Sequence, residues 1–212
     1  VARDLRVSLT DRCNLRCSYC MPPEGLDWLP TEETLTDAEV VRLVRIGVER
    51  LGIRQVRFTG GEPLLRRGLE GIIAECSQLR TDEGQTPDLA LTTNALGLAK
   101  RAQGLRDAGL DRVNISLDSL DREHYAAITR RDRLDDVLEG IEAAARAGLS
   151  PIKVNTLVLR GMNEADLPDL VDYCLDRGIE LRVIEQMPIG PVDTWDRQNI
   201  LTADEILHIM GT

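Results

Sequence analysis

The chain has 212 residues, which suits one α/β domain with a sizeable core. Its net charge of −10 argues against a general nucleic-acid surface, and no apolar run approaches the length of a membrane span. An acidic chain with an odd count of five cysteines and no visible secretory signal is not read as a disulfide framework.

Strand and helix signals alternate along the chain. Leu5 to Thr10 predicts a strand that leads into Cys13, Cys17 and Cys20, in the run Cys-Asn-Leu-Arg-Cys-Ser-Tyr-Cys, closed by Met21-Pro22-Pro23. Thr36 to Leu51 predicts a helix stopped by Gly52, and Gln55 to Thr59 a second strand that ends in Gly60-Gly61-Glu62-Pro63. A helix is expected from Gly68 to Leu79, then a strand from Leu89 to Thr93 and a helix from Leu98 to Ala108. Arg112 to Leu117 is the fourth strand; helices follow over Asp121 to Ile128 and Leu134 to Ala147. Ile152 to Leu159 is the fifth strand, Asn163 to Arg177 a helix, and Glu180 to Glu185 the sixth strand. Residues 1–200 are read as one domain. Leu201 to Leu207, with Thr202 as N-cap, reads as the start of a truncated C-terminal region, 201–212.

Repeated helix–Gly–strand units indicate a parallel sheet with right-handed crossovers. Six units are too few for a closed eight-fold barrel. A partial (β/α)6 barrel and an open doubly wound sheet both fit.

Three cysteines within eight residues are too close and too few for an ordinary structural zinc site, which takes four ligands. The only histidines, His124 and His208, are far along the chain. Three thiolates can hold three irons of a [4Fe–4S] cluster and leave the fourth iron open for chemistry. Cys76 and Cys174 sit at helix spacing among apolar residues and read as inert core cysteines.

Side chains alternate faces along a strand. Leu5, Val7 and Leu9 oppose Arg6, Ser8 and Thr10; Val56 and Phe58 oppose Gln55, Arg57 and Thr59. Leu89 and Leu91 oppose Thr92 and Asn94. Val113, Ile115 and Leu117 oppose Asn114, Ser116 and Asp118. Val154 and Val158 oppose Lys153 and Asn155, and Leu181 and Val183 oppose Arg182. Helices must pack on the apolar sets, so the polar sets face inward. Closed barrels fill their interiors with branched apolar side chains. A polar interior costs desolvation unless a ligand or water occupies it. Arg6, Arg57, Lys153 and Arg182 predict an anionic ligand, and planar guanidinium forks suit phosphate oxygens. An antiparallel sheet with one wet face is the plainer alternative.

The cysteine loop together with the Gly-Gly-Glu-Pro turn resembles the radical S-adenosylmethionine (SAM) superfamily, which selects the partial (β/α)6 TIM-like barrel. Within it the chain is similar to the GTP 3′,8-cyclase (MoaA-type) family of molybdenum cofactor biosynthesis. The marks are Ser-Leu-Thr-Asp-Arg-Cys-Asn-Leu-Arg-Cys, Tyr-Cys-Met-Pro, Arg-Phe-Thr-Gly-Gly-Glu-Pro-Leu, Leu-Thr-Thr-Asn, Asn-Ile-Ser-Leu-Asp, Ile-Lys-Val-Asn and Arg-Val-Ile-Glu-Gln-Met. The resemblance implies that Cys13, Cys17 and Cys20 ligate a [4Fe–4S] cluster whose fourth iron is chelated by SAM. It implies that Tyr19, Gly61, Ser116 and Met187 contact SAM, and that Arg6, Arg57, Thr92, Lys153 and Arg182 hold GTP.

The implied reaction is reductive SAM cleavage, hydrogen removal at the 3′ carbon of GTP, and ring closure to (8S)-3′,8-cyclo-7,8-dihydroguanosine 5′-triphosphate. No side chain is assigned as an acid or base; Glu62 and Asp118 are read as hydrogen-bonding groups. A second C-terminal [4Fe–4S] cluster belongs to the family, but its cysteines are not in this chain. Gln55 replaces a basic residue that often stands there in the family. Implied partners are a flavodoxin- or ferredoxin-type electron donor, the cyclic pyranopterin monophosphate synthase of the next step, and a second copy in a homodimer. No nucleic-acid or membrane partner is implied, and an oxygen-labile cluster implies a reducing cytoplasm. The competing expectations are a peptide-maturing or haem-pathway radical SAM enzyme and a non-catalytic cluster-binding scaffold.

Overall fold

The computed structural model describes residues 2–187 and 200–211; the stretch 188–199, read above as the end of the barrel domain, lies outside them. Six parallel strands form one sheet: β1 (Asp4–Ser8), β2 (Gln55–Thr59), β3 (Asp88–Thr93), β4 (Arg112–Ser116), β5 (Ile152–Leu157) and β6 (Glu180–Ile184). Their spatial order is the chain order, β1 to β6. A doubly wound sheet reverses its order at a switch point, so this order selects the partial barrel. Uniform right-handed crossovers then put the connecting helices on one side of the sheet.

The helices are α1 (Asp37–Arg50), α2 (Leu69–Ser77), α3 (Leu98–Asp107), α4 (Arg122–Thr129), α5 (Leu134–Arg146), α6 (Leu167–Asp176) and α7 (Ala203–Ile209). One core lies between them and the apolar strand face. Val56, Phe58, Leu89, Leu91, Val113, Ile115 and Val154 meet Val44, Ile73, Leu105 and Ile141 there, all essentially inaccessible to water. Each such side chain contributes about 1.5–3 kcal/mol by leaving water. The strand parity read from the sequence holds: Leu5 and Val7 are more buried than Arg6 and Ser8, and Ile152, Val154 and Thr156 more than Lys153, Asn155 and Leu157.

Element ends differ from the expectation where local chemistry intervenes. The first strand stops at Ser8, because Leu9 N–H still bonds Thr59 O (2.8 Å) but Thr10 O turns to take Gly61 N–H (2.7 Å). The helix expected from Asn163 divides into a 3₁₀ turn, Glu164–Asp166, and α6. Pro168 lacks an N–H and is tolerated only in a first helical turn, so α6 begins beside it. The fifth strand ends at Leu157; Leu159 makes an isolated antiparallel bridge to Ile200 instead.

Thr36 with Glu39, and Thr202 with Glu205, form reciprocal capping boxes at α1 and α7. Residues after 200 rest on the barrel: Leu201 and Ile206 pack with Val158 and Leu167 in a small separate cluster.

Candidate active site

The cysteine loop leaves β1 at the C-terminal rim of the sheet and is clamped from the other side by the end of α4. Arg16 N–H donates to Thr129 O (3.1 Å) and Ser18 N–H to Ile128 O (2.8 Å), so Cys17 is pinned on both flanks. Arg130, at φ 56°, donates from Nη1 to Arg16 O (3.0 Å) and Met21 O (2.9 Å). Arg16 folds back onto its own loop, with Nη1 donating to Cys13 O (2.8 Å) and Leu15 O (2.7 Å). The loop is therefore a built structure rather than a tether. No sequence motif announced Arg130; its role depends on where α4 ends.

Burial pushes the Cys17 thiol up to about 12, with the Asp118 charge adding to it, and raises Cys13 and Cys20 as well. Arg16 offsets part of this for Cys13, but no cation among the described residues stands against Cys17; a buried thiolate there is costly, and bound iron would supply the positive charge. Among the described residues no group of three His, Cys, Asp or Glu side chains is placed to hold a single metal ion. Three cysteines on one clamped loop instead fit a multi-iron cluster, with Leu15 N–H at 3.4 Å and Asn94 Nδ2 at 3.8 Å from Cys13 Sγ as sulfur-directed donors.

The Gly-Gly-Glu-Pro turn locks this loop to the barrel. A Cβ on Gly61 would lie 2.3 Å from both Asp11 O and Arg12 O, and one on Gly60, at φ +147°, would lie 2.3 Å from Thr10 O. The glycines thus permit the approach of the chain's own backbone. Gly61 N–H donates to Thr10 O and Glu62 N–H to Arg12 O, both at 2.7 Å. Glu62 is fully buried. Its Oε1 accepts from Leu64 N–H (2.9 Å) and Thr93 Oγ1 (2.7 Å), and its Oε2 from Asn94 N–H (2.7 Å). Glu62 is thus a hydrogen-bonding group, tied to two backbone N–H groups and one hydroxyl.

Beside the cysteine loop lies a cavity of about 280 Å³, near the lower end of small-molecule sites (about 300–1,000 Å³). Tyr19, Cys20, Ser116, Asp118, Asn155 and Met187 are among its lining residues. Three of the four residues expected around SAM therefore meet on one cavity next to a candidate cluster ligand; Gly61 packs outside it. Tyr19 OH donates to Asp118 Oδ2 (2.8 Å), whose Oδ1 accepts from Leu157 N–H (2.9 Å). Burial raises Asp118 to about 6.

Below the rim, the inner face carries charge in two adjacent layers. Register places Arg6 beside Arg57, then Ala90, then Arg112, and in the next layer Thr92, Asn114, Lys153 and Glu180 side by side. Arg57 Nε is buried with no partner, and so is Asn114 Oδ1. Burial depresses the Arg57 guanidinium, with Arg112, Arg6 and Arg182 adding like-charge repulsion.

Arg112 was not singled out in the sequence, although it shares the parity of Asn114 and Ser116. Its Nε and Nη2 grip Asp88, and Nη2 also reaches Gln55 Oε1 (3.2 Å). Glu180 bridges two expected GTP ligands, accepting from Lys153 Nζ (2.6 Å) and Arg182 Nε (2.9 Å). Thr92 Oγ1 accepts from Asn114 Nδ2 (3.3 Å).

A parallel half-barrel with a three-cysteine loop at its C-terminal rim and a cavity beside that loop defines the radical SAM class. The Radical SAM superfamily model matches residues 7–174, and the chain belongs to that superfamily. Membership implies a [4Fe–4S] cluster and SAM. Among curated proteins the chain is 64% identical to a GTP 3′,8-cyclase of Corynebacterium glutamicum, over 98% of this chain and 55% of the relative. It is 58% identical to a GTP 3′,8-cyclase of Mycobacterium marinum, over 97% of this chain and 56% of the relative.

The chain spans about half the length of the curated relatives it matches. Among solved structures, SuiB of Streptococcus suis aligns with a TM-score of 0.68 at 20% identity, covering 85% of this chain and 39% of that one. Coproporphyrinogen III oxidase (HemN) of Escherichia coli aligns at 0.63 and 11% identity, covering 98% and 50%. These likenesses bear on the fold alone. No helix among the described residues is long and apolar enough to cross a membrane.

Proposed function

We propose that this chain carries the SAM-cleaving part of a GTP 3′,8-cyclase acting in molybdenum cofactor biosynthesis. The observation that carries the reading is the buried, unpartnered Arg57 Nε on the inner face, beside Arg6 and below the cavity that gathers Tyr19, Ser116 and Met187. An unpaired buried donor in a cluster of cations calls for an anion, and a triphosphate supplies several acceptor oxygens at once.

In this reading Cys13, Cys17 and Cys20 ligate the cluster. Tyr19, Ser116 and Met187 surround SAM, while Gly61 lets the turn close on the cysteine loop that presents the cluster. When bound, the cluster and SAM supply one-electron cleavage of a carbon–sulfur bond and a radical able to take a hydrogen atom from a sugar carbon. Arg6, Arg57, Lys153 and Arg182 hold the triphosphate, with Thr92 beside them, so the ribose is presented toward the cavity. Asp118, tied to Tyr19 OH and Leu157 N–H, orients the ring that walls SAM. The inner face contributes orientation and charge rather than acid–base catalysis.

Base recognition is assigned to a second cluster, for which this chain offers no ligands: Cys76 and Cys174 are buried in the helix-side core. The proposed partners are an electron donor of flavodoxin or ferredoxin type, the synthase that consumes the cyclised product, and a second copy in a homodimer, in a reducing cytoplasm. Anaerobic reconstitution with iron and sulfide, followed by dithionite and SAM, tests the chemistry: 5′-deoxyadenosine is expected. Equilibrium binding of GTP tests the substrate. A reconstituted protein that cleaves SAM but binds no GTP would move the assignment to a peptide-maturing or haem-pathway branch. One that cleaves no SAM would be a cluster-bearing scaffold.

A further inference from the structure

We propose that Glu180 is a built-in competitor for the substrate's phosphates, a carboxylate that occupies Lys153 and Arg182 until a polyanion displaces it. The inference rests on the reading that these two cations hold a triphosphate.

The geometry is specific. Lys153 and Glu180 are register partners on β5 and β6, and Glu180 and Arg182 are two residues apart on the same face of β6. One oxygen of Glu180 takes Lys153 Nζ at 2.6 Å and the other takes Arg182 Nε at 2.9 Å. The carboxylate therefore uses both oxygens as a phosphate would, and joins the two cations by itself. The cations on the other side are arranged differently. Arg112 has its own carboxylate, Asp88, gripped through two nitrogens on the neighbouring strand. Arg6 and Arg57 have no carboxylate within ion-pair distance among the described residues, and Arg57 Nε has no partner at all.

Three kinds of cation thus share one inner face: clamped (Arg112), occupied (Lys153 and Arg182), and open (Arg6 and Arg57). Arg182 is near enough to Arg57 for their charges to repel, so one phosphate chain can reach both the open and the occupied pair. Glu180 is about half exposed, at 47%, whereas Lys153 is only 13% exposed. The carboxylate can swing into solvent while the lysine stays in the site. Holding the lysine and arginine together keeps them placed, and it also removes one unit of positive charge from the site. For a half-exposed carboxylate already solvated on one side, the second effect is the larger one.

The test measures binding of GTP, and separately of inorganic tripolyphosphate, to the wild-type protein, Glu180→Gln, Lys153→Gln and the double variant. Glu180→Gln is expected to tighten both probes by up to about fivefold, the upper end set by a partly exposed ion pair. In the Lys153→Gln background the tightening is expected to shrink toward none, because the carboxylate then has less to occupy. Weaker binding in Glu180→Gln overturns the inference and makes Glu180 an organiser of the cations. Equal tightening in both backgrounds also overturns it, leaving only a through-space charge effect. Wild-type binding of tripolyphosphate without GTP sinks the nucleotide reading alone. Absence of binding of either probe to both wild type and Glu180→Gln sinks both.

Discussion

Glu62 and Asn94 are joined through the backbone: Glu62 Oε2 accepts the Asn94 N–H at 2.7 Å, tying the turn after β2 to the end of β3. The other oxygen, Oε1, takes Thr93 Oγ1 and Leu64 N–H. Burial raises this carboxyl, and the three donors pull it back. Glu62→Gln keeps one acceptor oxygen but turns an amide donor toward another donor. The expected loss is about 1–3 kcal/mol of unfolding free energy, the cost of a buried mismatch. Urea denaturation of the cluster-free protein measures it; a variant as stable as wild type would show that the carboxylate is not the tie.

Gly61→Ala tests whether the turn and the cysteine loop must touch. The added Cβ meets two carbonyl oxygens at 2.3 Å, and backbone atoms cannot yield as a flexible side chain does. Overpacking of this kind costs about 1–3 kcal/mol. The variant should be destabilised by that amount and should retain less than half the wild-type iron after anaerobic reconstitution. Wild-type iron content would mean that the loop is positioned by α4 and Arg130 alone.

The contrast between these residues and the rest shows what sequence patterning could reach. Strand parity placed Arg6, Arg57, Lys153 and Arg182 on one face because a two-residue period survives without any knowledge of partners. It did not find the counter-charges. Asp88 and Glu180 lie at the starts of their strands, where a carboxylate reads as an ordinary solvated end. Only the register, which sets Lys153 beside Glu180, makes the latter part of the site. Arg112 carried the right parity and was passed over for the same reason. The resemblance sets Gly61 against SAM; what the structure adds is that a Cβ on Gly60 or Gly61 would meet Thr10, Asp11 and Arg12 of the chain itself, a long-range contact that local sequence does not encode.

His124 supplies a pH-dependent strut. Its Nδ1 lies 2.8 Å from Asp166 Oδ2 and 3.0 Å from Oδ1, linking α4 to the 3₁₀ turn before α6; Ser119 donates to the same carboxylate. The hydrogen bond and charge of Asp166 raise the imidazole above 6.5, with Asp121 and Glu123 adding smaller contributions. A raised folded-state pKa stabilises the protein fully below the unfolded value, and the benefit is lost as pH rises through the folded value. The melting-temperature advantage of wild type over His124→Gln should therefore be larger at about pH 6 than at about pH 9. An advantage that is constant across that range would assign the contact to packing alone.

Arg57 separates stability from binding. In the ligand-free protein its guanidinium is pressed by burial and by three neighbouring arginines, and Nε finds no partner. Such a group is costly to keep charged, Asp4 offsets only part of that cost, and an anionic ligand would offset more. Arg57→Gln removes the charge and keeps a short polar side chain in the partly buried position. The ligand-free variant should be as stable as wild type or more so, by up to about 1 kcal/mol after allowing for partial exposure. Its affinity for GTP should fall by roughly 10- to 100-fold, the worth of charge-assisted hydrogen bonds to phosphate. Thermal melts and equilibrium binding on the same preparation give both numbers. A variant that loses stability and affinity together would make Arg57 a structural residue, and the unpaired Nε would no longer support an anion at this place in the barrel.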